Sequence, residues 1–296
     1  MLISVITNCY NSTATLERTY DSLLKQTVHN FEWVLVDDCS PDGGKTRELI
    51  KYFAEIAPFP VKYKFLEINH YGAKSTYTAC TIANGEYACI LDHDDELQPT
   101  AIDKAIFFIG QYKNNKEFVG VCGRCVDEKG NLIGEYFPFD AKISSESEIR
   151  FKYKNTSELL QFTKTDVLKE VFSKMKRGYT NGFCWLNICQ KYKYLYVNDV
   201  FRIYDTAILT SHSNTKKINR TTVEGQLETL KFLINSQTQF FKYNYKYSLD
   251  LLYQMLVYAH YSKENSFVHI KSIVFPYNFL MILAYPIVWL CFKKYK

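Results

Sequence analysis

The sequence predicts an α/β fold, a parallel sheet with helices on both faces. Four short apolar runs recur within the first hundred residues, and helical stretches separate them. The polar clusters sit at the ends of these runs: Asn8 to Asn11, Asp37-Asp38 and Asp92 to Asp95. Open α/β sheets bind ligands beyond the carboxyl ends of their strands, so those ends are where a site is expected.

Residues 2–7 (LISVIT) are β-branched and apolar on both alternating positions, as a strand covered on both faces requires. Asn11 and Ser12 offer capping side chains, and Leu16, Tyr20, Leu23 and Leu24 then recur at helical spacing. The second strand is 31–36, ending in Asp37-Asp38. Pro41, Asp42, Gly43 and Gly44 turn the chain into a helix over 45–56. One of Asp37 and Asp38 is expected to cap that helix. A third strand follows at 61–68, a helix at 72–83 and a fourth strand at 87–91, which runs into Asp92-His93-Asp94-Asp95. Asp95, with Pro99 close behind, is a candidate cap for the next helix. Residues 118–136 read as a β-hairpin turning at Glu128-Lys129-Gly130-Asn131. Up to about 210 the pattern gives a helix near 183–192 and two short strands near 194–197 and 200–204. Residues 221–261 are helical and rich in aromatics.

Composition narrows the class. The 296 residues are 47% hydrophobic and 23% charged, enough to fill a core, which excludes disordered, collagen-like and coiled-coil chains. The net charge is +5, and Lys271, Lys293, Lys294 and Lys296 supply most of it in a stretch without acids. The rest is almost neutral, which argues against nucleic acid as a partner. The nine scattered cysteines, without a secretory signal, fit free thiols in a reducing cytoplasm. Cys122-x-x-Cys125 has no second pair at zinc-site distance.

Residues 273–292 carry no ionised side chain and precede Lys293-Lys294-Tyr295-Lys296. Pro276, Pro286, Asn278 and the spread of Tyr and Trp favour an interfacial helix over a clean span, with lysines on anionic lipid. A buried core helix is the alternative.

Four motifs occur in order: Ser4-Val5-Ile6 to Tyr10-Asn11, Val36-Asp37-Asp38-Cys39-Ser40-Pro41-Asp42-Gly43, Asn69 with Gly85-Glu86-Tyr87, and Leu91-Asp92-His93-Asp94-Asp95. Together they resemble the family 2 glycosyltransferases, inverting enzymes of bacterial surface-polysaccharide type. The resemblance is strong over 2–110, weaker through 178–204 and nearly absent beyond. It implies the GT-A fold, a Rossmann-like mixed sheet flanked by helices, here with a helical, aromatic-rich C-terminal extension. The expected division is 1–210 for the transferase domain and 211–296 for a helical region whose tail, about 273–296, associates with membrane.

The resemblance also implies roles. Asn8 and Tyr10 would flank the nucleobase, and Asp38 would accept a base N–H. Lys74 would meet the pyrophosphate. Asp92 would bind the ribose or a metal-bound water, and Asp92 and Asp94 would hold Mn²⁺ or Mg²⁺; His93 points away by strand periodicity. The donor would be a nucleoside-diphosphate sugar with uracil or guanine, UDP-sugar foremost. The acceptor would be a saccharide, lipid-linked, with the enzyme peripheral at the cytoplasmic face of the cell membrane.

Two departures stand out. Ser75, Thr76 and Tyr77 replace an Ala-Arg-Asn common in relatives. In the Tyr179-Thr180-Asn181-Gly182-Phe183-Cys184-Trp185 element, Asn181 occupies the position of the catalytic base, and an amide cannot take a proton from the acceptor hydroxyl. A nearby acid (Asp199, Asp205 or Glu158) substitutes, or the register is offset, or transfer is slow or lost. The last case would leave a nucleotide-binding, membrane-associated scaffold.

Overall fold

The computed structural model describes residues 2–176, 181–205, 223–262 and 264–293. The sheet begins as expected. Strands β1 (Ile3–Cys9), β2 (Phe31–Asp37), β3 (Val61–Phe65) and β4 (Tyr87–Ile90) lie parallel in the order β3-β2-β1-β4. Their crossovers carry α1 (Leu16–Leu24), α2 (Lys45–Ile56) and α3 (Ala73–Ile82). Alternation places Val5, Trp33, Leu35 and Cys89 in one core and Ile6, Val34, Val36 and Ala88 in another. Both faces are therefore buried, the arrangement of a sheet sandwiched between helix layers.

After β4 come β5 (Glu96–Leu97), α4 (Ala101–Tyr112), β6 (Phe118–Val126), β7 (Ala141–Ser144) and β8 (Leu159–Lys164). Helices α5 (Thr165–Ser173) and α6 (Asn181–Lys191) lead to β9 (Lys193–Ile203). Strand β8 runs antiparallel to both β4 and β6, while β9 runs parallel to β6, so the sheet is mixed. The hairpin expected at 118–136 is reduced to a turn closed by one bridge, Val126 to Leu132. Strand β6 is buried along its whole length, and only the distant β8 and β9 can satisfy its backbone on both edges while covering it. The two strands expected at 194–204 are one, β9, whose pairing with β6 shifts register instead of breaking.

The C-terminal helices α7 (Val223–Gln237), α8 (Tyr245–Tyr261), α9 (Ser266–Lys271) and α10 (Tyr277–Lys293) share their own core of Leu227, Ile234, Met255, Ile270 and Met281. Phe151, from a π-helical turn at Glu148–Lys152, is fully buried in that core, stacked on Phe241 and edge-on to Tyr247. One aromatic side chain thus ties the C-terminal helices to the sheet domain. The expected boundary at 210/211 lies outside the described residues.

No described helix is long and apolar enough to cross a membrane. One side of α10 meets the helical core, through Met281 and its neighbours. Its other side leaves Phe279, Leu280 and Leu283 about half exposed, continuing Val274 and the 74% exposed Phe275.

Candidate functional site

The carboxyl ends of β1, β2 and β4 converge, and hydrogen bonds between loops fix their geometry. Ser12 accepts from the Tyr10 amide (2.9 Å), while the Ser12 amide donates to Thr46 Oγ1 (3.0 Å). Asn11 has a left-handed φ of 54°, and its amide donates to Ser40 Oγ (2.9 Å). Tyr10 is left 43% exposed above this floor.

Asn8 donates through Nδ2 to Thr76 Oγ1 (2.6 Å). The Thr76 hydroxyl itself donates to the Gly72 carbonyl (3.0 Å), so it must accept from Asn8. Asn8 Oδ1 is then a buried acceptor without a hydrogen-bond partner.

The two aspartates after β2 are both buried, and neither caps α2. Asp37 pairs with Arg47 (2.7 Å) and accepts from the Ser40 amide (3.2 Å). Asp38 accepts the backbone amides of His70 and Gly72, each at 2.8 Å, and so shapes the loop that enters α3. Asp42 does the capping, accepting from the amides of Gly44 (3.2 Å) and Thr46 (2.9 Å). A side chain two or four residues before those amides reaches them, whereas the chain has already turned away at Asp37-Asp38. Lys74 is exposed on the first turn of α3, its ammonium 5.4 Å from the Tyr77 ring centre.

Beyond β4 the carboxylate oxygens of Asp92, Asp94 and Asp95 lie within 4.8 Å of one another. Asp92 opens onto the cleft, Asp94 is half-buried and Asp95 is buried. Protein mass around Asp92 raises its pKa; Arg202 opposes the rise and Asp94 adds to it. Burial pushes Asp95 up to about 7, against Arg202 and with Asp92 and Asp94. His93 turns aside to Thr15 Oγ1 (2.8 Å), as expected, but it sits in the turn beyond β4, so the turn and not strand alternation orients it.

Asp95 does not cap a helix. It accepts from Arg202 Nη1 (3.0 Å) and the Asp205 amide (3.1 Å). Arg202, 6% exposed, also reaches Glu158 (3.3 Å) and Cys125 Sγ (3.2 Å), and its guanidinium lies 4.9 Å from the Tyr204 ring centre. It is the cation that lets three carboxylates stand together, a role the sequence did not assign. Arg18 of α1 adds a second, donating to the Asp94 carbonyl and to Asp205.

Asp92, Glu158 and Arg202 line a cavity of about 380 Å³ between the sheet and α6. Its walls include Gln161, Trp185, Tyr194 and Tyr196, with Glu146 and Arg150. Among the substitutes expected for Asn181, only Glu158 lines the cavity. Asp199 is paired with Lys104 of α4 (2.6 Å), and Asp205 with Arg18. Asn181 is the first residue of α6; its side chain, with Tyr179 and Thr180, lies outside the described residues. Sequence reasoning missed Glu146 and Arg150, whose spacing of four reads as an ordinary surface ion pair.

The sequence pattern of glycosyl transferase family 2 matches residues 4–171. TuaG of Bacillus subtilis, a glycosyltransferase assigned to teichuronic acid biosynthesis, is 33% identical over 119 residues, covering 40% of this chain and 46% of TuaG. A GalNAc(5)-diNAcBac-PP-undecaprenol β-1,3-glucosyltransferase of Campylobacter jejuni is 27% identical over 270 residues, covering 86% of this chain and 82% of the enzyme. The chain thus spans less than half of TuaG but most of the Campylobacter enzyme. Among solved structures, S. aureus TarS 1–349 in complex with UDP-GlcNAc superposes with a TM-score of 0.64 at 18% identity, over 93% of this chain and 82% of TarS 1–349. That likeness establishes the GT-A fold.

Proposed function

The chain belongs to glycosyl transferase family 2, and from that premise we propose that it moves a sugar, with inversion, from a nucleoside-diphosphate donor to a saccharide acceptor. The observation that carries this reading is the convergence of Asp92, Asp94 and Asp95 beyond β4, with Asp92 also lining the 380 Å³ cavity. UDP is the favoured nucleotide, in keeping with the UDP-GlcNAc held by TarS.

Asn8 and Tyr10 take the base. The unpartnered Oδ1 of Asn8 lacks only a donor, and a uracil or guanine N–H is one. Asp38 keeps the loop over α3 in place with both oxygens, and a base N–H would use a remaining lone pair. Lys74, exposed and held over Tyr77, reaches out toward the diphosphate. The acid cluster suits Mn²⁺ or Mg²⁺: Arg202 and the Asp205 amide already engage Asp95, leaving Asp92 and Asp94 as hard oxygen ligands. When bound, such an ion neutralises charge on the departing diphosphate. Glu158, open to the cavity and anchored by Arg202, takes the proton from the acceptor hydroxyl in place of Asn181. Asn181 is left to orient the acceptor by hydrogen bonding.

The acceptor is a lipid-linked saccharide of a surface polysaccharide, like the undecaprenol-linked glycan in the name of the Campylobacter relative. The exposed Phe275, Phe279, Leu280 and Leu283 rest on the inner face of the cell membrane, with Lys271 nearby on anionic lipid. A second reading, a nucleotide-binding scaffold without transfer, is favoured by Asn181 alone.

The test is calorimetric titration with UDP and GDP, each with and without Mn²⁺. Metal-dependent binding of one nucleotide supports the donor site, and binding of neither by folded protein refutes it. Transfer that survives in wild type and falls 10²–10⁴-fold in Glu158→Gln separates the enzyme from the scaffold.

A further inference from the structure

The cavity wall contains an ion pair to which the proposed donor site assigns no role. Glu146 follows β7, and Arg150 stands one turn later in the π-helical segment. Arg150 Nε donates to Glu146 Oε1. Both side chains are partly buried and open onto the cavity, Glu146 being 15% and Arg150 34% exposed. Arg150 holds Glu146 below the usual carboxylate range despite its burial, so Glu146 is ionised at neutral pH. A partly exposed pair at i and i+4 contributes only about 0.3–0.5 kcal/mol, so stability alone does not account for its place in a cavity wall.

The hydrogen bonds of Glu146 are incomplete in an informative way. Among the described residues its second oxygen accepts only from Cys189 Sγ (3.1 Å), a weak donor. A carboxylate so placed retains acceptor capacity for strong O–H donors. The other walls match a sugar ring: Trp185 offers an aromatic face to C–H groups, and Gln161 a donor and an acceptor. The volume falls in the range of about 300–1,000 Å³ typical of small-molecule sites. Charge excludes a phosphate here. The lining carries three carboxylates, Asp92, Glu146 and Glu158, against two arginines that are already paired. An uncharged polyol fits; a phosphate or an acidic sugar does not.

Asp92 belongs to both the acid cluster and the cavity. A donor whose diphosphate lies at the acids would direct its sugar inward, toward Glu146. We propose that Glu146, held by Arg150, selects the donor by accepting hydroxyl groups of a neutral hexopyranose. This rests on the donor-site reading above.

The C-terminal helices hold the selecting pair. The Arg150 guanidinium meets Tyr247 of α8, and Asn244 Nδ2 donates to its carbonyl (3.4 Å). The neighbouring Phe151 is planted in the helical core. The helical region thereby braces the pocket's wall from behind, through Arg150.

The test is calorimetry with Mn²⁺ on wild type, Glu146→Gln and Glu146→Asp, using UDP, UDP-glucose, UDP-galactose, UDP-GlcNAc and UDP-GalNAc. Wild type should bind one UDP-sugar more tightly than UDP and the other sugars. Glu146→Gln should bind UDP as wild type does but lose about 10- to 100-fold for the preferred UDP-sugar, the worth of a hydrogen bond to a charged group. Glu146→Asp keeps the charge beside Arg150 while withdrawing the carboxylate, and should lose the same preference; unchanged UDP binding certifies its fold. If both variants keep UDP binding and the sugar preference intact, the assignment of Glu146 is overturned and the donor site stands. If wild type binds no UDP at all, the donor-site reading fails and takes this inference with it.

Discussion

Arg202 is the residue whose removal tests the electrostatic account most directly. Its side chain is 7% exposed, and that of its partner Asp95 is 2% exposed. Arg202→Met keeps much of the stem volume and deletes the charge. Breaking a buried pair from one side typically costs about 3–5 kcal/mol, because the remaining charge is uncompensated. For a chain of this size that corresponds to a fall in Tm of roughly 10 °C. The pH dependence follows from the sign of the shift. Asp95 in the folded protein titrates at about 7, above its ordinary value of 3.8, and Arg202 is the main influence lowering it. Without Arg202 the folded pKa rises further. Below about pH 7 Asp95 carries its proton in both folded proteins and the variant suffers little at this group. As pH rises through 7, wild-type Asp95 ionises against Arg202 while the folded variant must stay protonated or bury a bare charge, so the deficit grows. Thermal melts at pH 5 and pH 8 should show the larger loss at pH 8. Arg202→Met combined with Asp95→Leu should recover at least half of it. A loss as large at pH 5 as at pH 8, or no recovery in the double variant, would refute the argument.

Three further outcomes are expected. Asp94→Asn should weaken Mn²⁺-dependent nucleotide binding by tenfold or more, read by calorimetry, while metal-free binding stays unchanged. In wild type, protons compete with the cation at Asp92, whose pKa is raised, and Asp95, ionising near 7, adds negative charge beside it, so Mn²⁺ affinity should rise from pH 5.5 to pH 8 and then level off. Replacing Phe275, Phe279, Leu280 and Leu283 together by Ser should reduce flotation with anionic vesicles more than tenfold, since each buried apolar side chain contributes about 1.5–3 kcal/mol, and should leave nucleotide binding intact.

The first half of the sheet was legible because each strand there is local and its neighbours come from short crossovers. Short continuous apolar runs identify β1, β2 and β4, buried on both faces, and polar strand ends point to the acid cluster. Beyond residue 100 the logic changes. Turn residues at 128–131 do make a turn, with Gly130 at φ +82°, but the turn does not decide what β6 pairs with. Glycines hint at the answer only in retrospect: a Cβ at Gly120 would lie 1.9 Å from the Phe162 carbonyl oxygen, so the close approach of β8 needs that glycine.

The sequence by itself determined the α/β class, the succession of the first four strands along the chain and the place of Asp92, Asp94 and Asp95 at a strand end, because apolar runs and strand-end chemistry are local properties; the sheet order β3-β2-β1-β4 came from the fold. Only the tertiary structure decided which charges answer which. Arg202 and Asp95 are 107 residues apart, and no local pattern pairs them. The same holds for Asp38, which looks like a helix cap in sequence and serves a loop 32 residues onward. It holds also for Glu146 and Arg150, which become cavity walls because β7, α6 and α8 close around them. Burial sets the energy of a charge, and burial is a property of the whole fold.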